Sequence, residues 1–309
     1  QQTAAKAYAQ AKMWADALPV FERVVRLAPD DVSALKQAAL ASVNTGDRQH
    51  AIELLHRAAA LEPENADVHA HLAHVYAGDE RWEEARDTIT AAIDLNDRDE
   101  DFYHQLGEYH SALGDSDAAL SAFFRATEID PENATMLEAL AEAQFQTEKF
   151  HAAHSTFLRA ANALQIPTEE GLETEFDLVR RFSILGRAGD ALVAQQQEPQ
   201  AIALWQKALL EDPADTLLQK KLGEALLRQG RCEEASAAYE NAIRADHADA
   251  DALLGAAEAA MALGEEIRAR HHVEKLEHSL DSPIMACRLG ILCRQLGQFE
   301  SALFAFRQA

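Results

Sequence analysis

Thirteen histidines lie among the 309 residues, and two groups of them are spaced for chemistry. His71 and His74 are three apart, and His104 stands four before Glu108, so on helices each pair shares a face, one turn apart. His69 and His110 flank them. Imidazole and carboxylate ligate a borderline-soft ion such as zinc, and two such pairs on adjacent helices would offer four donors. The same side chains serve as hydrogen-bonding groups on a binding wall, and we read them so, with no metal expected. The sequence carries no Walker loop, no GxGxxG, no HExxH and no GxSxG. Cys232, Cys287 and Cys293 are odd in number and form no CxxC pair, so they read as reduced, incidental thiols. No catalytic residue and no cofactor is expected, and the chain reads as a non-enzyme.

Lysine and arginine total 28 against 52 aspartates and glutamates, a formal net charge of −24. Nucleic acid demands a Lys/Arg-rich face and no basic cluster exists here, so a phosphate-backbone binder is excluded. An anionic membrane surface is equally unsuited. The Ala-rich run from Ala252 to Leu263 carries Glu258 in its middle, and nothing approaches the roughly 20 apolar residues of a membrane span. No membrane insertion is expected, and the thiols with no visible signal segment point to the cytoplasm. Abundant alanine beside 13 glycines and 8 prolines means helix.

Those helices repeat. Pro29, Pro63 and Pro131 are spaced at 34 and twice 34, Asp97 holds the skipped slot, and Pro213 and His247 continue a second series. Twelve residues before these marks stand Ala17, Ala51, Ala85, Ala119, Ala201 and Ala235, with Ala153 and Ala269 in the same slot. Eight before them come Phe21, Leu55, Ile89, Phe123, Phe157, Trp205, Tyr239 and Val273. On an earlier helix, Leu72, Leu106, Leu140 and Leu222 precede Ala73, Gly107, Ala141 and Gly223, small residues that permit close helix approach. Gly46, Gly114, Gly230, Gly264 and Gly297 mark the turn between the two sets. Each unit is thus an antiparallel helix pair. The period breaks twice: 14 extra residues run from Thr168 to Arg181, and Gly290, Gly297 and Ala302 sit one place early.

With its clearest second helices reading EEARDTITAAIDLND, DAALSAFFRATEIDPEN and EEASAAYENAIRADHADA, the pattern resembles the tetratricopeptide repeat family over nearly the whole chain. The resemblance implies an all-α fold, a right-handed superhelical solenoid of antiparallel helix pairs with about nine repeats, two of them partial. Residues 1–167 would hold a partial repeat and four full ones, 168–181 a helical insertion or hinge, and 182–309 three full repeats and a truncated one. Neither end shows a polar cap, so we expect a piece of a longer polypeptide, able to self-associate through its ends.

In that family's register the ninth position lies on the concave wall, where this chain has Glu108, Glu142, Asp190, Glu224 and Glu258, and His71, His74 and His104 face the same way. Stacked carboxylates would steer a cationic segment into the groove. The expected role is therefore a protein-interaction scaffold that binds an extended or helical, basic or amphipathic segment of a protein partner through His71, His74, His104, Glu108, Glu142, Asp190, Glu224 and Glu258. Tyr103 is a further groove residue whose slot usually packs. Lys36 and Lys220 fall in a carboxylate-clamp slot known in the family, but Leu40 and Glu224 replace its asparagines, so the clamp is not expected. A recruiting arm of a larger enzyme and a secretion or assembly chaperone stand as alternatives.

Overall fold

The computed structural model describes residues 13–164, 175–276 and 282–309, the side chains of Glu175 and Phe176 excepted. Seventeen α-helices and no strands occur among the described residues. They fall into two compact units, Gln1–Lys149 and Phe150–Ala309. Unit 1 contains α1 (Trp14–Leu27), α2 (Val32–Asn44), α3 (Arg48–Leu61), α4 (Ala66–Gly78), α5 (Trp82–Leu95), α6 (Glu100–Ala112), α7 (Ser116–Ile129) and α8 (Ala134–Gln146). Unit 2 contains α9 (Phe150–Ala163), α10 (Glu175–Ala194), α11 (Glu198–Ala208), α12 (Thr216–Arg228), α13 (Cys232–Ala245), α14 (Ala250–Ala262), α15 (Glu266–Leu276), α16 (Pro283–Gln295) and α17 (Phe299–Gln308). The stretch that the sequence sets aside as an insertion lies outside the described residues up to 174, and α10 then runs for 20 residues where other first helices have 13.

Local chemistry starts and stops each helix. First helices open on a side chain that accepts from a backbone N–H of the first turn: Asp31, Asn65, Asp99, Asn133, Asp215, Asp249 and Ser282. Each satisfies a donor that the helix itself cannot. In this register the one exception is Arg181, which stands where a cap would be; there α10 continues back to Glu175. Every first helix ends with an N–H returning to a carbonyl five residues earlier, from Asp47 to Ser42 through Gln298 to Cys293, around one residue of positive φ. Five of those eight positions are the expected glycines, while Glu80, Glu148 and Gln196 hold the same conformation with φ near +60°. Alanine and bulky slots are buried as expected, with Ala17, Ala51, Ala85, Ala153, Ala201, Ala235 and Ala269 fully enclosed.

What joins the two helices of a pair is a match of sizes. Gly107 faces Phe123, Gly189 faces Trp205, Gly223 faces Tyr239 and Gly290 faces Phe306, so closely that an added Cβ would lie 2.6, 2.8 and 2.5 Å from the Phe123, Tyr239 and Phe306 rings and inside the Trp205 indole. Where the second helix offers Leu55, Ile89 or Val273 in that slot, the first carries Ala39, Ala73 or Ala257, all buried. In these pairs glycine accompanies a ring and alanine a branched aliphatic side chain, keeping the interior filled without strain; Phe157 departs from the rule, since the corresponding first-helix residue is Ala141.

Gly223→Ala should destabilise α12 and α13 by about 2 kcal/mol through overpacking against Tyr239. Gly230→Ala, whose added Cβ meets open space, should cost only the backbone term of about 1 kcal/mol. Amide hydrogen exchange of these two helices reads both, and equal effects would refute a tight ring contact.

Candidate functional site

Within each unit the first helices of consecutive pairs touch directly, α2 with α4 and α4 with α6 in unit 1, and α10, α12, α14 and α16 in succession in unit 2. All eight residues expected to bind a partner lie on first helices, five on α4, α6 and α8 of unit 1 and three on α10, α12 and α14 of unit 2.

In unit 1 the histidines are engaged locally. His71 is exposed, with Nδ1 2.6 Å from the Asp67 carbonyl oxygen one turn back, and His69 Nε2 lies 2.9 Å from the Pro63 carbonyl oxygen. His74 is exposed on the next turn of α4. His104 is half-buried, its Nδ1 3.9 Å from Glu108 Oε2 and its ring tilted against Phe123 with centroids 5.6 Å apart. Glu108 remains exposed, and Glu142 Oε1 accepts from Gln146 Nε2 at 3.5 Å. The four donors considered for zinc do not converge: among the described residues no three His, Cys, Asp or Glu side chains form a group able to hold an ion.

In unit 2 the carboxylates are largely answered by cations of the chain itself. Asp190 accepts from Lys221 Nζ at 2.6 Å through both oxygens, with Arg187 Nη1 3.5 Å away. Glu258 takes a two-pronged contact from Arg288, Nε to Oε1 at 2.9 Å and Nη2 to Oε2 at 2.6 Å. Fork-to-fork geometry of this kind is among the stronger polar contacts, and the Glu258 contact holds the Arg288 guanidinium above its ordinary pKa. In both cases the ninth position of one repeat meets the sixth position of the next. Glu224 has no such partner, because the corresponding sixth residue is Gly255; its contact is Arg228 of its own helix, at 3.4 Å. Its side chain is 62% exposed, against 22% for Asp190 and 27% for Glu258. Lys36 and Lys220 are likewise taken, by Asp67 at 3.6 Å and Asp249 at 2.7 Å. The expected ladder of free carboxylates is therefore compensated at Asp190 and Glu258 and open at Glu108 and Glu224.

Models of the tetratricopeptide repeat match residues 43–106, 100–133, 187–231 and 220–275, together more than half the chain. The chain belongs to the tetratricopeptide repeat family. Proteins of this family generally bind protein or peptide partners. BBSome complex member BBS4 of Mus musculus is 30% identical over 125 residues, which is 40% of this chain and 24% of that protein; the counterpart in Bos taurus aligns over the same lengths. The chain thus spans about a quarter of the length of the curated relatives it matches. Among solved structures, PilF of Pseudomonas aeruginosa is similar with a TM-score of 0.50 at 15% identity, covering 69% of this chain and 90% of that one. MamA of Desulfovibrio magneticus has a TM-score of 0.49 at 18% identity, covering 52% and 92%. At these identities PilF shares the fold alone. No helix among the described residues is long and apolar enough to cross a membrane.

Sequence reasoning did not find Lys221 and Arg288, the cations that answer the ladder. Their signal was available, since both occupy the sixth position of a first helix directly after one with an acidic ninth position. Lys221→Met should lower the stability of unit 2 by about 1 kcal/mol, the net worth of a half-buried charged hydrogen bond. Denaturant melts of the full chain measure it, and an unchanged midpoint would show that the contact adds nothing.

Proposed function

We propose that the chain is a non-enzymatic interaction scaffold whose first-helix face holds an extended or helical segment of a protein partner, basic or amphipathic in character. The observation that carries this reading is the direct contact of successive first helices, α2, α4 and α6 in unit 1 and α10, α12, α14 and α16 in unit 2, with Glu108 and Glu224 presented to solvent on them. A surface of stacked helices offers extent rather than an enclosed pocket, and suits recognition spread over several repeats. The open carboxylates supply the sign of charge that a cationic segment complements. His71, His74, His104 and Glu142 contribute polar contacts around them in unit 1, and Asp190 and Glu258 do so in unit 2 through their paired cations. As a second reading, supported by the similarity to a complex member, the same face docks a fellow subunit of a stable assembly.

Affinity capture from the native cell extract with the full chain, compared with a Glu108→Lys, Glu142→Lys and Glu224→Lys variant, tests the proposal by mass spectrometry. Partners of the first-helix face should be lost from the variant, and their binding should weaken severalfold as salt is raised past physiological strength. Identical captures, or binding indifferent to salt, would overturn the basic-partner reading.

A further inference from the structure

The position just before the bulky slot of each second helix holds a side chain that cannot carry charge, such as Leu54, Ala122, Thr156, Leu204 and Ala238, except in α15, where it is His272. His272 is 4% exposed. Both of its ring nitrogens are closed off from solvent, and neither makes a hydrogen bond. Nε2 stands 3.2 Å from Glu240 Oε1 of α13, but that oxygen already accepts from Arg268 Nη2 at 3.0 Å. Arg268 in turn holds Glu265 at 3.1 Å. An imidazole of one second helix thus faces a carboxylate of another at a point from which water is excluded.

Two effects oppose each other there. Burial disfavours an imidazolium, which would leave its hydration behind, whereas Glu240 favours it. Glu240 is shared with Arg268, and Arg268, Lys275 and His271 of α15 all act against a further positive charge. The other packed elements bring little relief: α14 carries Asp251, which is exposed, and Glu258, which is taken by Arg288, while α16 has no acidic residue. Burial outweighs Glu240 and holds the His272 pKa below its ordinary value.

We propose that His272 makes the junction of α13 and α15 an acid-sensitive joint, closed around the neutral ring and opened when the ring takes a proton from solvent and returns to water. In the opened form the imidazole titrates near its ordinary value of about 6.5. The closed form takes up the proton only at lower pH, so closure is fully favoured above that value and loses ground as pH falls from it toward the closed-state pKa. About one unit below, the loss is at most about tenfold in the closed-to-open ratio. Because α15 packs on α14, opening removes support from the first helix that carries Glu258. The joint is independent of what the first-helix face binds.

Amide exchange of the full chain, compared at about pH 7 and about pH 5.5 and corrected for the intrinsic rate, tests the joint together with an NMR titration of histidine-labelled chain. The His272 signal, the one lost from His272→Leu, should titrate below about pH 6.5. Protection of α13 and α15 should fall severalfold at the lower pH. In His272→Leu, which gives the slot the residue type of Leu54 and Leu204, that fall should disappear. Arg268→Gln leaves Glu240 to His272 alone, so the midpoint should rise and the fall should shrink, an arm that stands even where His272→Leu fails to fold. A midpoint at or above the ordinary value, an equal fall in wild type and His272→Leu, or protection that increases with acid would each overturn the joint.

Discussion

Every helix pair depends on how closely its two members approach, and one contact sets that distance. A glycine on the first helix accepts a ring from the second, and an alanine sits opposite a branched aliphatic side chain. Dense packing leaves no latitude for a methyl group too many or too few. Where the contact recurs from pair to pair within a unit, the first helices are brought to a common level and touch one another. The exposed residues of the first helices owe their arrangement to these buried neighbours.

Much of this is legible in the linear sequence because the determinants are local. Caps and turns act within five residues, and the alanine and bulky slots recur every 34, so Asp31, Gly46, Ala51 and Leu55 announce a helix, a turn and a core before any tertiary contact is known. Glu80, Glu148 and Gln196 are less visible, since they adopt a backbone that glycine prefers and only their place in the register betrays them. The long α10 is half legible: Leu172, Phe176 and Val179 have helical spacing, but it is the absence of a capping side chain at Arg181 that lets the helix run on.

The candidate site is less legible because its determinants are pairwise and non-local. Asp190 and Lys221 are 31 residues apart, and Glu258 and Arg288 are 30 apart. A ladder of acidic positions read along one column therefore exaggerates the field, because the neighbouring column holds its counter-charges. What survives as negative potential is whatever the second column fails to answer, and that depends on single residues such as Gly255. Histidine clustering misleads for a similar reason: His69, His71, His104 and His110 each find a partner within a few residues, so proximity along the chain does not become convergence in space.

Tyr239 also bears on how such an array can be rearranged by duplication or exchange of repeats. A helix pair carries its own small and bulky partners, so a boundary drawn between pairs generally moves a self-consistent module. The boundary between α13 and α14 is different, since Tyr239 on one side requires glycine at both Gly223 and Gly255. A foreign repeat inserted there would need to bring a glycine in the sixth position of its first helix, or the ring would have no room. The four helices α12 to α15 are in this sense inherited together, a unit of two repeats rather than one.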